Sequence, residues 1–131
     1  LWAAGEGKSS CLVLASFLFL AYNTRIIKSI RQGGITIYLK ETGAATAELY
    51  VMGVLKEYHR QGIGRELVYN AKRAASEAGY SFMQVKTVQM GKYEEYDNTN
   101  RFYLSLGFQE FEVFPTLWDA WNPCQIYIMT I

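Results

Sequence analysis

From residue 26 onward the apolar positions recur in two rhythms. "IIKSI" (26–30) and "ITIYL" (35–39) are short, β-branched runs separated by "RQGG", which reads as two strands and a turn. "KETGAAT" reads as a second turn and "AELYVMGVL" (47–55) as a third strand. The rhythm then changes: Ile63, Leu67, Val68, Ala71, Ala75 and Ala78 recur at helical spacing, with Gly79 placed to end the helix. "SFMQVKTV" (81–88) is β-like again. Within the polar stretch "GKYEEYDNTN", Asp97 or Asn98 is the expected cap of a short helix, "TNRFYLSL", stopped by Gly107. "FQEFEVF" and "CQIYIMTI" alternate as closing strands, joined by "PTLWDAWNP". Strand–helix–strand–helix–strand–strand predicts an α/β or α+β domain with a mixed sheet.

Upstream, "CLVLASFLFLAY" (11–22) is continuously apolar. It is shorter than the roughly 20 residues that span a bilayer, and no small-residue cleavage pattern follows it. A buried strand, with no membrane role, is the expectation. "GEGKSS" imitates a phosphate loop, but Trp2 stands where that loop needs a glycine. Composition narrows the field further. With 131 residues, half of them hydrophobic, the chain suits one ordered domain spanning 1–131. Thirteen basic against twelve acidic residues leave a net charge of +1, which excludes nonspecific nucleic-acid binding as a guiding expectation. Cys11 and Cys124 are far apart and His59 is the single histidine, so no metal site is expected. A reducing, cytoplasmic setting is the simple reading of that cysteine usage.

The candidate chemistry lies in "YHRQGIGREL" (58–67). Glycines at the head of a helix cost up to about 1 kcal/mol each relative to alanine, so the spot must need bare backbone. A helix start exposes N–H groups without partners and about half a positive charge, an anion site in waiting. Gly62 and Gly64 would let a phosphate reach those amides, and Arg60, Arg65 and Lys56 add charge. The third glycine of a dinucleotide fingerprint is absent, because Leu67 stands there, and no Gly-Lys-Ser/Thr follows.

Residues 47 to 108 resemble the GNAT superfamily of acetyl-coenzyme A-dependent N-acyltransferases. The signature Arg/Gln-x-x-Gly-x-Gly/Ala reads here as His59-Arg60-Gln61-Gly62-Ile63-Gly64, with His59 departing at its first position. "FYLSLGF" is similar to the family's Tyr-x-x-x-Gly-Phe element. The asparagine many members carry seven residues before that tyrosine is replaced by Tyr96. The resemblance implies a GNAT-like fold, residues 1–10 being unassigned and the usual N-terminal strand and two helices missing. It implies acetyl-CoA as co-substrate, with its pyrophosphate on His59, Arg60, Gln61, Gly62, Ile63, Gly64 and Arg65. It implies further that the strand through Met52 and Val54 splays from its neighbour, pairs with the pantetheine and supplies an oxyanion donor. Tyr103 falls at the position of the general acid toward the leaving thiolate, and Glu48 at that of the general base. The implied reaction is direct acetyl transfer to a primary amine in a ternary complex. A small-molecule acceptor is expected ahead of a protein lysine or N-terminus, and a homodimer is compatible with it. The competing expectation is a non-catalytic acyl-CoA-binding or interaction module on a degenerate or truncated GNAT fold.

Overall fold

A computed structural model describes residues 26–32, 35–53 and 62–131. The apolar run at 11–22, the lookalike phosphate loop, and Val54, His59, Arg60 and Gln61 lie outside these residues. In chain order the elements are β1 (Ile26–Gln32), β2 (Ile35–Gly43), β3 (Thr46–Gly53), α1 (Ile63–Glu77), β4 (Phe82–Val88), α2 (Glu94–Ser105), β5 (Gln109–Phe114) and β6 (Cys124–Thr130). The strands form one sheet in the order β1-β2-β3-β4-β6-β5. β3 and β4 are parallel, with α1 between them in sequence, and every other pairing is antiparallel. This is the mixed α/β architecture predicted. Among the described residues no helix is long and apolar enough to cross a membrane.

Side-chain parity explains the layers. Ile37 and Leu39 on β2, Ala47 and Leu49 on β3, Met83 and Val85 on β4, and Tyr127 on β6 are buried in one core cluster. Leu67, Val68, Ala71, Ala74 and Ala75 of α1 cover them, joined by Tyr103 of α2 and by Phe108. The alanines let α1 approach the sheet closely. Leu67 is fully buried and contributes about 1.5–3 kcal/mol by leaving water.

Two element ends differ from expectation. β2 continues through Gly43, so "KETGAAT" is mostly strand, and Ala44–Ala45 alone make the turn to β3. α2 starts at Glu94, before Asp97, and no side chain caps it. Asp97 sits inside the first turn, where its carboxylate accepts the Gly91 N–H at 2.7 Å. Glu94, Glu95 and Asp97 offset the missing cap by placing negative charge at the positive end of the helix dipole.

The end of α2 gives the Tyr-x-x-x-Gly-Phe spacing a physical reason. Gly107 takes φ +95°, and its N–H bonds to Leu104 O at 3.1 Å. The Phe108 N–H bonds to Tyr103 O at 3.2 Å, and the two rings pack edge to face at 5.5 Å. This is a Schellman stop: glycine supplies the left-handed residue, and the hydrophobic pair seals the turn. The element therefore locks Tyr103 in place.

Candidate active site at the fork between β3 and β4

β3 and β4 pair only at Thr46–Phe82, Ala47–Met83 and Glu48–Gln84. Beyond that point β3 stays with β2 as far as Gly53, while β4 stays with β6 as far as Val88. A bulge drives the separation: Val51 lies opposite Tyr38 and Leu49 opposite Leu39, so Tyr50 is one residue too many. Such an insertion bends its strand. The result is a fork whose inner edges, residues 49–53 and 85–88, have no strand between them among the described residues. Their backbone groups suit an extended polar chain. Met52 lies on this edge, opposite Ile37 of β2.

The anion-site geometry stands at the head of α1. Gly62 has φ +76° and ψ 0°, a conformation that disfavours other residues, and a Cβ there would meet nothing within 4 Å. The first intrahelical bond runs from the Glu66 N–H to Gly62 O at 3.0 Å. Ile63, Gly64 and Arg65 therefore present N–H groups without helical acceptors, and no side chain caps them. Arg65 is exposed, and its Nη2 donates to Ser105 Oγ at 3.3 Å, joining the start of α1 to the end of α2.

Tyr103 lies wholly inside the helix-facing core, against Phe102, Phe108 and Tyr127. Its hydroxyl has no hydrogen-bond partner among the described residues. Burial pushes it far above the ordinary phenol range, so it keeps its proton at any working pH. That makes Tyr103 a hydrogen-bond donor, and a weak source of a proton.

Asn100 determines where Tyr103 falls. Its side chain is fully buried, donates to Val88 O at 2.9 Å and to Tyr96 O at 2.6 Å, and accepts from Tyr127 Oη at 2.6 Å. These bonds pin α2 to the end of β4 and the middle of β6, with Tyr103 one turn further on. Asn100 is a structural clamp, four residues beyond Tyr96, which stands at the family asparagine's position.

Glu48 is on the opposite face of the sheet, at the last paired position before the fork. It is 2% exposed, so it is no solvated strand end. Lys86 Nζ is 3.2 Å from Oε1, and Gln84 Nε2 donates to the same oxygen at 3.4 Å. Lys40 Nζ stands 3.1 Å from Oε2 as an ion pair, though out of line for a hydrogen bond. Lys40 also lies over the Tyr50 ring at 4.1 Å. Glu48 and Tyr103 thus approach the fork from opposite sides. Sequence reasoning missed one more group there, Thr87 of β4, which is fully buried with a hydroxyl that has no partner among the described residues.

The acetyltransferase (GNAT) domain family matches residues 15–110, most of the chain. This chain belongs to the GNAT acetyltransferase family. A comparison with curated protein sequences gives no match. Solved structures extend the likeness of this GNAT fold. An acetyltransferase assigned to the GNAT family from Desulfovibrio desulfuricans is 23% identical, with TM-score 0.66 over 73% of this chain and 60% of its own. Nourseothricin acetyltransferase is 17% identical, with TM-score 0.65 over 73% of this chain and 56% of its own. This chain therefore spans less than two thirds of the length of either. A Bacillus subtilis acetyltransferase in complex with CoA is 14% identical, with TM-score 0.71 over 97% of this chain and 95% of its own. At these identities the likeness establishes the fold.

Proposed function

We propose that this GNAT domain transfers the acetyl group of acetyl-CoA to a primary amine of a small molecule, by direct attack in a ternary complex. The observation that carries the reading is the fork: two unpaired strand edges open beside an uncapped helix start and a buried, unpartnered tyrosine hydroxyl. Those features fit acetyl-CoA. The amides of Ile63, Gly64 and Arg65, with the adjoining His59, Arg60 and Gln61, would hold the pyrophosphate. The strand edges would pair with the pantetheine arm, and a β3 amide near Met52 and Val54 would hydrogen-bond the thioester oxygen as negative charge develops there.

An alkylamine is uncharged in roughly one molecule in two thousand at pH 7, so it must lose a proton to attack. Glu48, on the face away from α1 and α2, is the group proposed to receive it through water. Tyr103 would donate a hydrogen bond to the departing sulfur from the other face. Base and donor on opposite faces suit a reaction in which the amine enters from one side and the thiolate leaves from the other. Nourseothricin acetyltransferase, by its name, acts on a small molecule, which favours that acceptor class over a protein lysine or N-terminus. One observation favours the second reading, a binding module without catalysis: both Glu48 oxygens already face an ammonium group.

Calorimetric titration with acetyl-CoA tests the first half. The wild type should bind, and Gly62→Asp should lose at least about tenfold in affinity, since a carboxylate would repel the phosphates. Gly62→Asn, which tolerates the left-handed backbone and adds no charge, should lose less. No binding by a folded wild type would overturn the proposal. Thiol release on adding amines then separates the transferase from the binding module.

A further inference from the structure

We propose that Thr87 is a binding residue for the pantetheine arm, its hydroxyl taking one of the arm's amide groups within the fork. The inference rests on the acetyl-CoA reading above.

Thr87 lies three residues beyond Gln84, the last β4 residue paired with β3. That places it about 10 Å along the strand into the fork. Met83 and Val85 belong to the helix-facing core, so alternation puts Thr87 on the same face as Tyr103. The next residue, Val88, is tied to α2 through Asn100, which lies one turn before Tyr103. Thr87 is therefore overlaid by the helix that carries Tyr103, on the strand edge that β3 has left.

Its burial needs a reason. Thr87 is 0% exposed, and its Oγ1 has no hydrogen-bond partner among the described residues. A hydroxyl held in a core without a partner destabilises the fold, and valine would fill the same volume without that cost. Across the strand pair, Gln125 sits opposite Thr87, yet its amide donates to Glu112 O and Ile126 O. Asn100 is likewise committed to Val88 and Tyr96. The side-chain amides of Gln125 and Asn100 are thus engaged elsewhere, and the Thr87 hydroxyl is left for something that enters the fork. A threonine hydroxyl both donates and accepts, so it suits an amide, which offers N–H and C=O. Tyr103, fixed to the helix, remains the group for the sulfur.

The test compares wild type, Thr87→Val, Thr87→Ser and Tyr103→Phe in two measurements without turnover. These are thermal melting of the resting protein and calorimetric affinity for CoA and for its nucleotide half, which keeps the pyrophosphate and lacks the arm. Thr87→Val should melt at or above the wild-type temperature, lose roughly three- to tenfold in CoA affinity and bind the nucleotide half as wild type does. Thr87→Ser should restore CoA affinity, and Tyr103→Phe should leave it nearly intact. If Thr87→Val lowers the melting temperature while CoA affinity holds, the hydroxyl serves the fold and the proposal fails. It fails equally if both ligands weaken together. A folded wild type that binds neither ligand would instead sink the acetyl-CoA reading itself.

Discussion

Replacing Asn100 with alanine should be among the most damaging single changes to this domain, although Asn100 is assigned no chemistry. The substitution removes the buried amide that bonds Val88 O, Tyr96 O and Tyr127 Oη. Tyr96 O is four residues back in α2 and keeps a helical partner. The Tyr127 hydroxyl is left buried and alone, at about 1–3 kcal/mol, and the Val88 carbonyl loses a donor worth about 1 kcal/mol. The sum is about 3 kcal/mol, a large share of the 5–15 kcal/mol typical of a whole domain. Urea denaturation measures it directly, and Tm should fall by roughly 10 °C for a chain of this size. Tyr127→Phe supplies the decisive comparison. Alone it orphans Asn100 Oδ1, but in the double variant both orphans vanish. The two penalties should therefore overlap by about 1–2 kcal/mol in a double-mutant cycle. A loss below about 1 kcal/mol for Asn100→Ala, or strict additivity with Tyr127→Phe, would refute the clamp.

Glu48→Gln leaves two lysines facing each other without their shared counter-charge. It should lower stability by about 1–3 kcal/mol, under the 3–5 kcal/mol of fully buried pairs because both lysines are partly exposed. Its thiol-release rate should drop by roughly a hundredfold or more with acetyl-CoA affinity retained, and an unchanged rate would remove Glu48 from catalysis. Tyr103→Phe should slow turnover by about tenfold without lowering Tm, because the lost hydroxyl has no partner among the described residues. A fall in Tm would point to a bond in the folded core. Asp119 accepts from the Asn122 side chain and from the Trp121 and Asn122 N–H groups, and these bonds hold its carboxyl below the usual range. A depressed value stabilises the turn above the unfolded pKa and is lost as pH falls through the folded one. Tryptophan fluorescence from this loop should accordingly change below about pH 4 and stay flat in Asp119→Ala.

Helix α1 and the strands were legible because their apolar periodicity carries through to the core: Leu67, Val68, Ala71 and Ala75 are buried as spaced and Ala74 joins them, while Ile63 is half-buried and Ala78, at the helix end, is exposed. Gly62 was read as bare backbone for an anion, and the structure adds a second reason for glycine, a left-handed backbone at φ +76°. The start of α2 was hidden because Tyr93 precedes it, a residue that caps nothing, while Asp97 bonds a loop amide instead. The bounds of the β2–β3 turn were blurred because Gly43, which marks it in the sequence, belongs to β2 and the turn itself is Ala44–Ala45. Glu48 could not be read from its own strand. A lone glutamate between apolar residues looks like a wet face, and the lysines that clasp it come from β2 and β4. Thr87 carries no sequence signal either, since a threonine in a strand is ordinary and only its unpaired hydroxyl sets it apart.

The short seam between β3 and β4 also has a mechanical meaning. The sheet is two three-stranded ribbons riveted at three residue pairs, with the buried core beneath as a further tie. Bending should concentrate at that rivet, so the ribbons can flex as two plates about a line through Glu48 and Gln84. An extended arm seated between them would act as a splint, adding the missing rungs along residues 49–53 and 85–88. Amide exchange at those positions should slow on loading, while the outer pairs of β1 with β2 and of β5 with β6 keep their resting rates.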